Sequence, residues 1–185
     1  MALHTALTSK LKIEHPILLA PMGSASGGKL AAAVSGAGGL GMIGGAYGDP
    51  EVLEREFAAA GNTRVGCGFI TWALARRPEA LDQAISRAPA AIMLSFGDAG
   101  PFLPRIRSVG ILAICQVQSL RQAREVLDQG TDIIVAQAPK RAGTEQTAPL
   151  SHSFRPSSTK SPDRDAKFRW SRLAASSMVG ASPPL

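Results

Sequence analysis

The chain has 185 residues, 45% of them hydrophobic and 5% aromatic, with a net charge of +6. This composition points to one soluble globular domain whose core is built from Ala, Val, Ile and Leu. No run of about 18 apolar residues is present to span a bilayer, and no basic region followed by an apolar core opens the chain. The expected compartment is therefore the cytoplasm, with no membrane partner. Charge is unevenly spread. Residues 1–137 carry 12 Lys+Arg against 11 Asp+Glu, which leaves 8 against 3 for the last 48 residues. A basic surface suggests nucleic acid only where it clusters, so that inference applies to the tail alone.

Six short apolar runs recur up to Gln137: Ile17 to Ala20, Leu40 to Ile43, Val65 to Ile70, Ala90 to Phe96, Ile111 to Gln116 and Ile133 to Gln137. Each has the length of a strand and the continuous hydrophobicity of a parallel strand covered on both faces. Helical segments fill the gaps. Lys29 to Ser35 lies between Gly27-Gly28 and Gly36, and Pro50 opens a helix that reaches Gly61. Pro78 opens a third, carrying Leu81, Ala84 and Ile85 on one face. Pro101 precedes a short fourth, interrupted by Pro104 and closed at Gly110, and Leu120 to Leu127 forms a fifth ending at Gly130. Strand, helix, strand at this spacing gives right-handed crossovers and a parallel sheet. The fold class expected is α/β, a partial TIM-type (β/α)8 barrel of about six βα units, followed by a disordered C-terminal tail. A complete barrel needs eight strands and about 250 residues. The expected domains are thus 1–137, the truncated barrel, and 138–185, a basic Ser/Pro-rich tail without apolar period.

The motifs sit at strand ends. Ala20-Pro21-Met22-Gly23 closes the first run, where a rigid Pro and a small residue let a flat ligand approach; a plain strand-to-loop turn needs the same residues. Gly38-Gly39-Leu40-Gly41 precedes its strand instead of following one, which rules out a dinucleotide loop and leaves helix termination and tight packing. Gly66-Cys67-Gly68-Phe69-Ile70-Thr71 suits either a cofactor against backbone or barrel packing. Ser95-Phe96-Gly97-Asp98, Cys115-Gln116-Val117-Gln118 and Gln137 put polar groups at the rim where barrels keep their binding side chains. Solvated loop residues are the plainer reading of each. Cys67 and Cys115 read as reduced, buried thiols. His4 and His15 have no partner at metal or catalytic spacing. No nucleophile elbow, Walker loop or metal-spaced His/Glu pair is present.

The run Pro16-Ile17-Leu18-Leu19-Ala20-Pro21-Met22, then Leu30 to Gly41, Ala91 to Gly97 and Asp132 to Gln137, resembles the nitronate monooxygenase family, formerly 2-nitropropane dioxygenases, over about residues 11–137. The resemblance implies an FMN enzyme on an eight-stranded barrel that oxidises alkyl nitronates with O2 to a carbonyl compound and nitrite. It further implies that Pro21 and Met22 touch the flavin ring, with Gly68, Gln116 and Gln137 completing the cofactor contacts. In the family a Gly-Gly-His loop follows the last Gln and its histidine works beside the substrate. Here Ala138-Pro139-Lys140-Arg141-Ala142-Gly143-Thr144 stands instead, so no catalytic residue is assigned. Reading the tail one base over, with G or C at free codon positions, turns Ala138 to Ala148 into a segment containing Gly-Gly-His. The same offset turns Lys167 to Arg172 into Val-Pro-Val-Val-Ala and restores a glycine motif from Ser176 to Pro184. The expectation is a lost reading frame just after Gln137. Two alternatives stand beside it: an FMN-dependent enoyl reductase-like oxidoreductase on the same barrel, and a non-catalytic fragment whose basic tail contacts nucleic acid.

Overall fold

The structure, a computed structural model, describes residues 3–137; the readings made for 138–185 lie outside them. Helix α1 (Ala6–Leu11) opens the chain. Thr5 and Thr8 cap it reciprocally, the Thr8 N–H donating to Thr5 Oγ1 at 3.1 Å and the Thr5 N–H to Thr8 Oγ1 at 2.8 Å. The sequence reading contained no such helix. It did contain a first strand at Ile17 to Ala20, and here the structure corrects it. The segment makes a single parallel bridge, Leu18 to Leu40, with the Leu19 N–H donating to the Leu40 carbonyl at 3.0 Å and the Leu40 N–H to the Ile17 carbonyl at 2.9 Å. Pro16 and Pro21 flank it without N–H groups of their own, so the ladder cannot lengthen at either end.

From there the alternation follows the expected course. Helix α2 (Gly28–Gly36) leads to strand β1 (Met42–Ala46), and α3 (Pro50–Ala60) to β2 (Gly66–Ile70). The single-turn α4 (Thr71–Leu74), unforeseen, and α5 (Glu79–Ser86) precede β3 (Ala91–Ser95). Helix α6 (Leu103–Ser108) precedes β4 (Leu112–Val117), and α7 (Leu120–Asp128) precedes β5 (Ile133–Ala136). Pro104 sits in the first turn of α6, where its missing N–H costs nothing, so it opens that helix instead of interrupting it. Asp49 caps α3 by accepting from the N–H groups of Glu51 and Val52, both at 3.1 Å, and Ser119 caps α7 through the Gln122 N–H at 3.2 Å. Glycines in the left-handed region follow three of these helices: Gly61 at φ 61°, Gly110 at 74° and Gly130 at 85°.

The five strands are all parallel and lie in sequential order, β1-β2-β3-β4-β5. A sheet that never reverses its strand order is an arc of a (β/α)8 barrel, not a doubly wound sheet. The register sets its two faces. Gly68 pairs with Met93, Met93 with Ile114 and Ile114 with Ile133, so these positions share the concave face. Met42, Ala91, Met93 and Ile114 form one buried cluster there with Leu40 and with Leu11 of α1; Leu18, Leu112, Ile133 and Val135 pack around it. Helix α1 closes the end of the arc where the strands begin. Lys10 Nζ reaches Asp132 Oδ1 at 3.1 Å, and Asp132 Oδ2 accepts the Ala113 N–H at 2.9 Å. The alternate positions, among them Cys67, Phe69, Ile92, Leu94, Ala113 and Cys115, are buried on the convex side. Both cysteines are free, as expected, and burial pushes the Cys67 thiol up to about 12 and Cys115 in the same direction.

Glycines at the start of α2 have a packing cause. A Cβ at Gly28 would run into the backbone carbonyl of Glu56, and the Gly28 N–H donates to Glu56 Oε2 at 2.9 Å. A carboxylate from α3 therefore holds the positive end of α2. That backbone donor first, and Arg55 second, hold the Glu56 carboxyl below the usual carboxylate range.

Candidate active site at the C-terminal rim

Where the strands end, the concave face changes from apolar to polar. Below it Met93, Ile114 and Val135 close the core. One step further along their strands stand Ser95, Gln116 and Gln137.

On one side of this rim the Pro21–Ser26 turn folds over β1 and β2. It is tied internally, the Met22 N–H donating to Ser26 Oγ at 2.5 Å and the Ala25 and Ser26 N–H groups to the Met22 carbonyl, each at 2.8 Å. The Gly44 N–H then donates to the Ser26 carbonyl at 2.9 Å. Two glycines make room. A Cβ at Gly44 would come within 2.6 Å of the Gly23 nitrogen, and one at Gly68 would run into the Pro21 ring. Gly68 is thus covered by Pro21. The groups exposed to a ligand on this side would be the Pro21 ring and the exposed Met22 side chain, with Gly68 behind them.

On the other side the structure brings Gln116 and Gln137 together. Gln116 Nε2 donates to Gln137 Oε1 at 2.5 Å, and Gln118 Nε2 donates to the same oxygen at 2.8 Å. Gln118 is itself held by its backbone N–H, which donates to Gln122 Oε1 at 2.8 Å. With its oxygen taken twice, Gln137 is left with an amide NH2 to offer a ligand. Sequence reasoning put Gln118 at the rim but not in the cofactor set; its role in orienting Gln137 shows only in three dimensions.

These two groups fit a flat heteroaromatic ring such as the flavin of FMN. Its broad face needs an apolar seat, which Pro21 and Met22 could supply, and its polar edge needs amide partners, which Gln116 and Gln137 could supply. Asp98 is used within its own loop, where Oδ1 accepts the Gly100 N–H at 2.9 Å. His4 is exposed and His15 packs against Gly38. Among the described residues no cluster of three metal-ligating side chains is present, and no helix is long and apolar enough to cross a membrane.

Two aromatic residues at the same rim, Tyr47 and Trp72, went unread, and Phe96 was read only as part of a polar motif. Tyr47 and Phe96 directly follow β1 and β3, Trp72 lies in the single-turn α4 just after β2, and all are exposed. The available signal was position alone: a large apolar side chain immediately after a strand.

Comparison with known proteins agrees with this architecture. The family model "Nitronate monooxygenase" matches residues 4–63. Among solved structures, FabK from Thermotoga maritima is similar with a TM-score of 0.66 and 30% identity, over 72% of this chain and 44% of that one. Nitroalkane oxidase from Streptomyces ansochromogenes shares the fold, with a TM-score of 0.60 and 24% identity over 72% of this chain and 48% of its own. A curated relative, (3aS,4S,5R,7aS)-5-hydroxy-7a-methyl-1-oxo-octahydro-1H-indene-4-carboxyl-CoA dehydrogenase of Rhodococcus jostii, is 23% identical over 144 residues, 76% of this chain and 40% of that protein. The chain thus spans less than half the length of each. It carries the sequence pattern of the nitronate monooxygenase family at residues 4–63, on a partial α/β barrel shared with the two solved structures, and the resemblance read from its motifs stands.

Proposed function

We propose that the chain is a flavoprotein oxidoreductase by descent, binding FMN at the C-terminal rim of its barrel arc and acting as a nitronate monooxygenase. The observation that carries this reading is that Pro21 and Met22, over Gly68 of β2, and the paired Gln116 and Gln137, at the ends of β4 and β5, stand on the same rim of one arc above an apolar cluster. Pro21 and Met22 would seat the ring, with Gly68 letting Pro21 lie close. Gln116 and Gln137 would hold its polar edge, with Gln137 oriented by Gln116 and Gln118. A bound flavin would supply the electron transfer by which an alkyl nitronate, with O2, becomes a carbonyl compound and nitrite.

The reading includes a loss. The family's histidine loop and phosphate-binding loops fall beyond Gln137, where residues 138–185 follow a shifted frame. FMN binding by the chain as written is accordingly weak and its activity impaired. The test compares this chain with one in which a single base is restored after codon 137. Tight FMN binding and nitrite release from an alkyl nitronate in the restored chain alone support the proposal. Nucleotide sequence that confirms the present frame, with a restored chain that stays colourless, overturns it.

The second reading, an FMN-dependent enoyl reductase-like oxidoreductase, is favoured by the matches to FabK and to a carboxyl-CoA dehydrogenase. Oxidation of a nicotinamide in the presence of an enoyl thioester, without turnover of nitronate, would select it. A nucleic-acid role for the basic tail lies outside the described residues, and salt-dependent DNA binding tests it.

A further inference from the structure

Four large apolar side chains stand exposed just beyond the strand ends of one rim: Met22 at 55%, Tyr47 at 61%, Trp72 at 44% and Phe96 at 51%. They follow the bridge segment, β1, β2 and β3 in turn, so they run along consecutive strands of the arc. Tyr47 and Trp72 are in contact, with ring centroids 5.8 Å apart and planes tilted by 60°. The Phe96-Gly97 turn is pressed against the start of α4, since a Cβ at Gly97 would lie 3.0 Å from both the Trp72 backbone nitrogen and Thr71 Cβ. Phe96 holds φ 62°, a left-handed conformation that a bulky residue adopts only under constraint from its surroundings. The guanidinium of Arg76 stands 5.2 Å from the Trp72 ring centroid. Among the described residues Arg76 has no acidic partner. Placed over an indole face, it has N–H donors to offer an anion.

We infer that Tyr47, Trp72 and Arg76 form a substrate-tail subsite for a small molecule with a bulky apolar body and an anionic group, such as an alicyclic or aromatic carboxylate. Exposed aromatics beside a cation without an acidic partner are the complement of that chemistry, and they stand on the same rim as Met22 of the proposed flavin seat. The subsite rests on the proposed function only for the chemistry done there. Its binding is read without flavin or turnover, so the two can fail separately.

The test follows the Trp72 indole N–H in 15N–1H spectra of the full-length chain, whose two tryptophans are assigned with Trp72→Phe. Three probes are titrated: cyclohexanecarboxylate, cyclohexanemethanol and acetate. The expected result is a saturable Trp72 shift with cyclohexanecarboxylate at concentrations where the other two give little. Arg76→Gln should weaken the carboxylate about fivefold, as loss of one charge-assisted hydrogen bond at a partly exposed site implies, and leave cyclohexanemethanol unchanged. Arg76 is exposed, so this variant keeps the fold. Equal response to acetate, or no effect of Arg76→Gln, overturns the assignment. So does a Trp72 shift that tracks protein concentration without any probe, because a second copy of the chain would then be the occupant.

Discussion

The two ends of the arc are built from opposite choices. At the end where the strands begin, Leu11 of α1 is fully buried among Leu40, Met42 and Ala91, and an ion pair fastens the helix to Asp132. Where the strands end, three amides, a proline turn and four exposed apolar side chains replace the buried cluster. In barrels the first end serves stability and the second chemistry. The contrast here teaches that the division is already present in five strands and does not need eight.

The largest effect expected from breaking that contrast is on the closed end. Leu11→Ala removes a fully buried side chain and should lower unfolding stability by about 3 kcal/mol, measured in urea. Met22→Ala, at the open end, should change it by less than about 0.5 kcal/mol. Similar losses for both would erase the distinction. Gly68→Ala tests the point where the two roles meet. The new methyl displaces Pro21, so stability should fall by about 2 kcal/mol and FMN binding, where measurable, with it. Next comes Gln137→Ala, expected to weaken FMN about tenfold through lost amide contacts while thermal stability holds. If Gln118→Ala left FMN affinity untouched, the orienting role of Gln118 would be refuted.

Phe96→Gly should run the other way. Relief of φ 62° by a residue free of Cβ strain is expected to raise stability by about 1 kcal/mol in denaturant titration, at the cost of the rim's apolar surface. An unchanged or lower midpoint would argue that the Phe96 ring is held by packing. The smallest effect is electrostatic. Because the Glu56 carboxyl titrates below its ordinary value of 4.5, its contribution is complete above that pH and is lost as pH falls through the folded value. Glu56→Gln should flatten this acid-side slope; an identical slope in the variant would assign acid sensitivity elsewhere.

Much of the arc was legible because parallel strands buried on both faces write an unbroken apolar run, as Ala91 to Ser95 does, and because Pro50, Gly61 and Gly130 punctuate the helices unambiguously. Ile17 to Ala20 carries the same apolar run yet makes only a bridge, since hydrophobicity reports burial and not whether a neighbouring proline leaves donors for a ladder. Helix α1 escaped because six residues offer too little period, and its Thr-x-x-Thr cap lacks the acidic or amide third position that usually marks such a start. At the candidate site, Gln116 and Gln137 were marked out by standing at strand ends, and the structure pairs them. That Pro21 covers Gly68, and that Tyr47 meets Trp72, depends on how the turns fold back, which no local pattern encodes.

The bond between residues 10 and 132 also bears on how the chain reaches its fold. Successive βα units stacked only on their neighbours could form and fray one at a time, as a linear array does. Helix α1 prevents that, because its concave-face contacts and its anchor at Asp132 require the first and last described elements to be present together. Such distant contacts carry a large loop-closure cost and slow folding, but they make loss of one end a loss for the other. Hydrogen exchange should therefore find β1 and β5 opening as one cooperative unit despite the three strands between them.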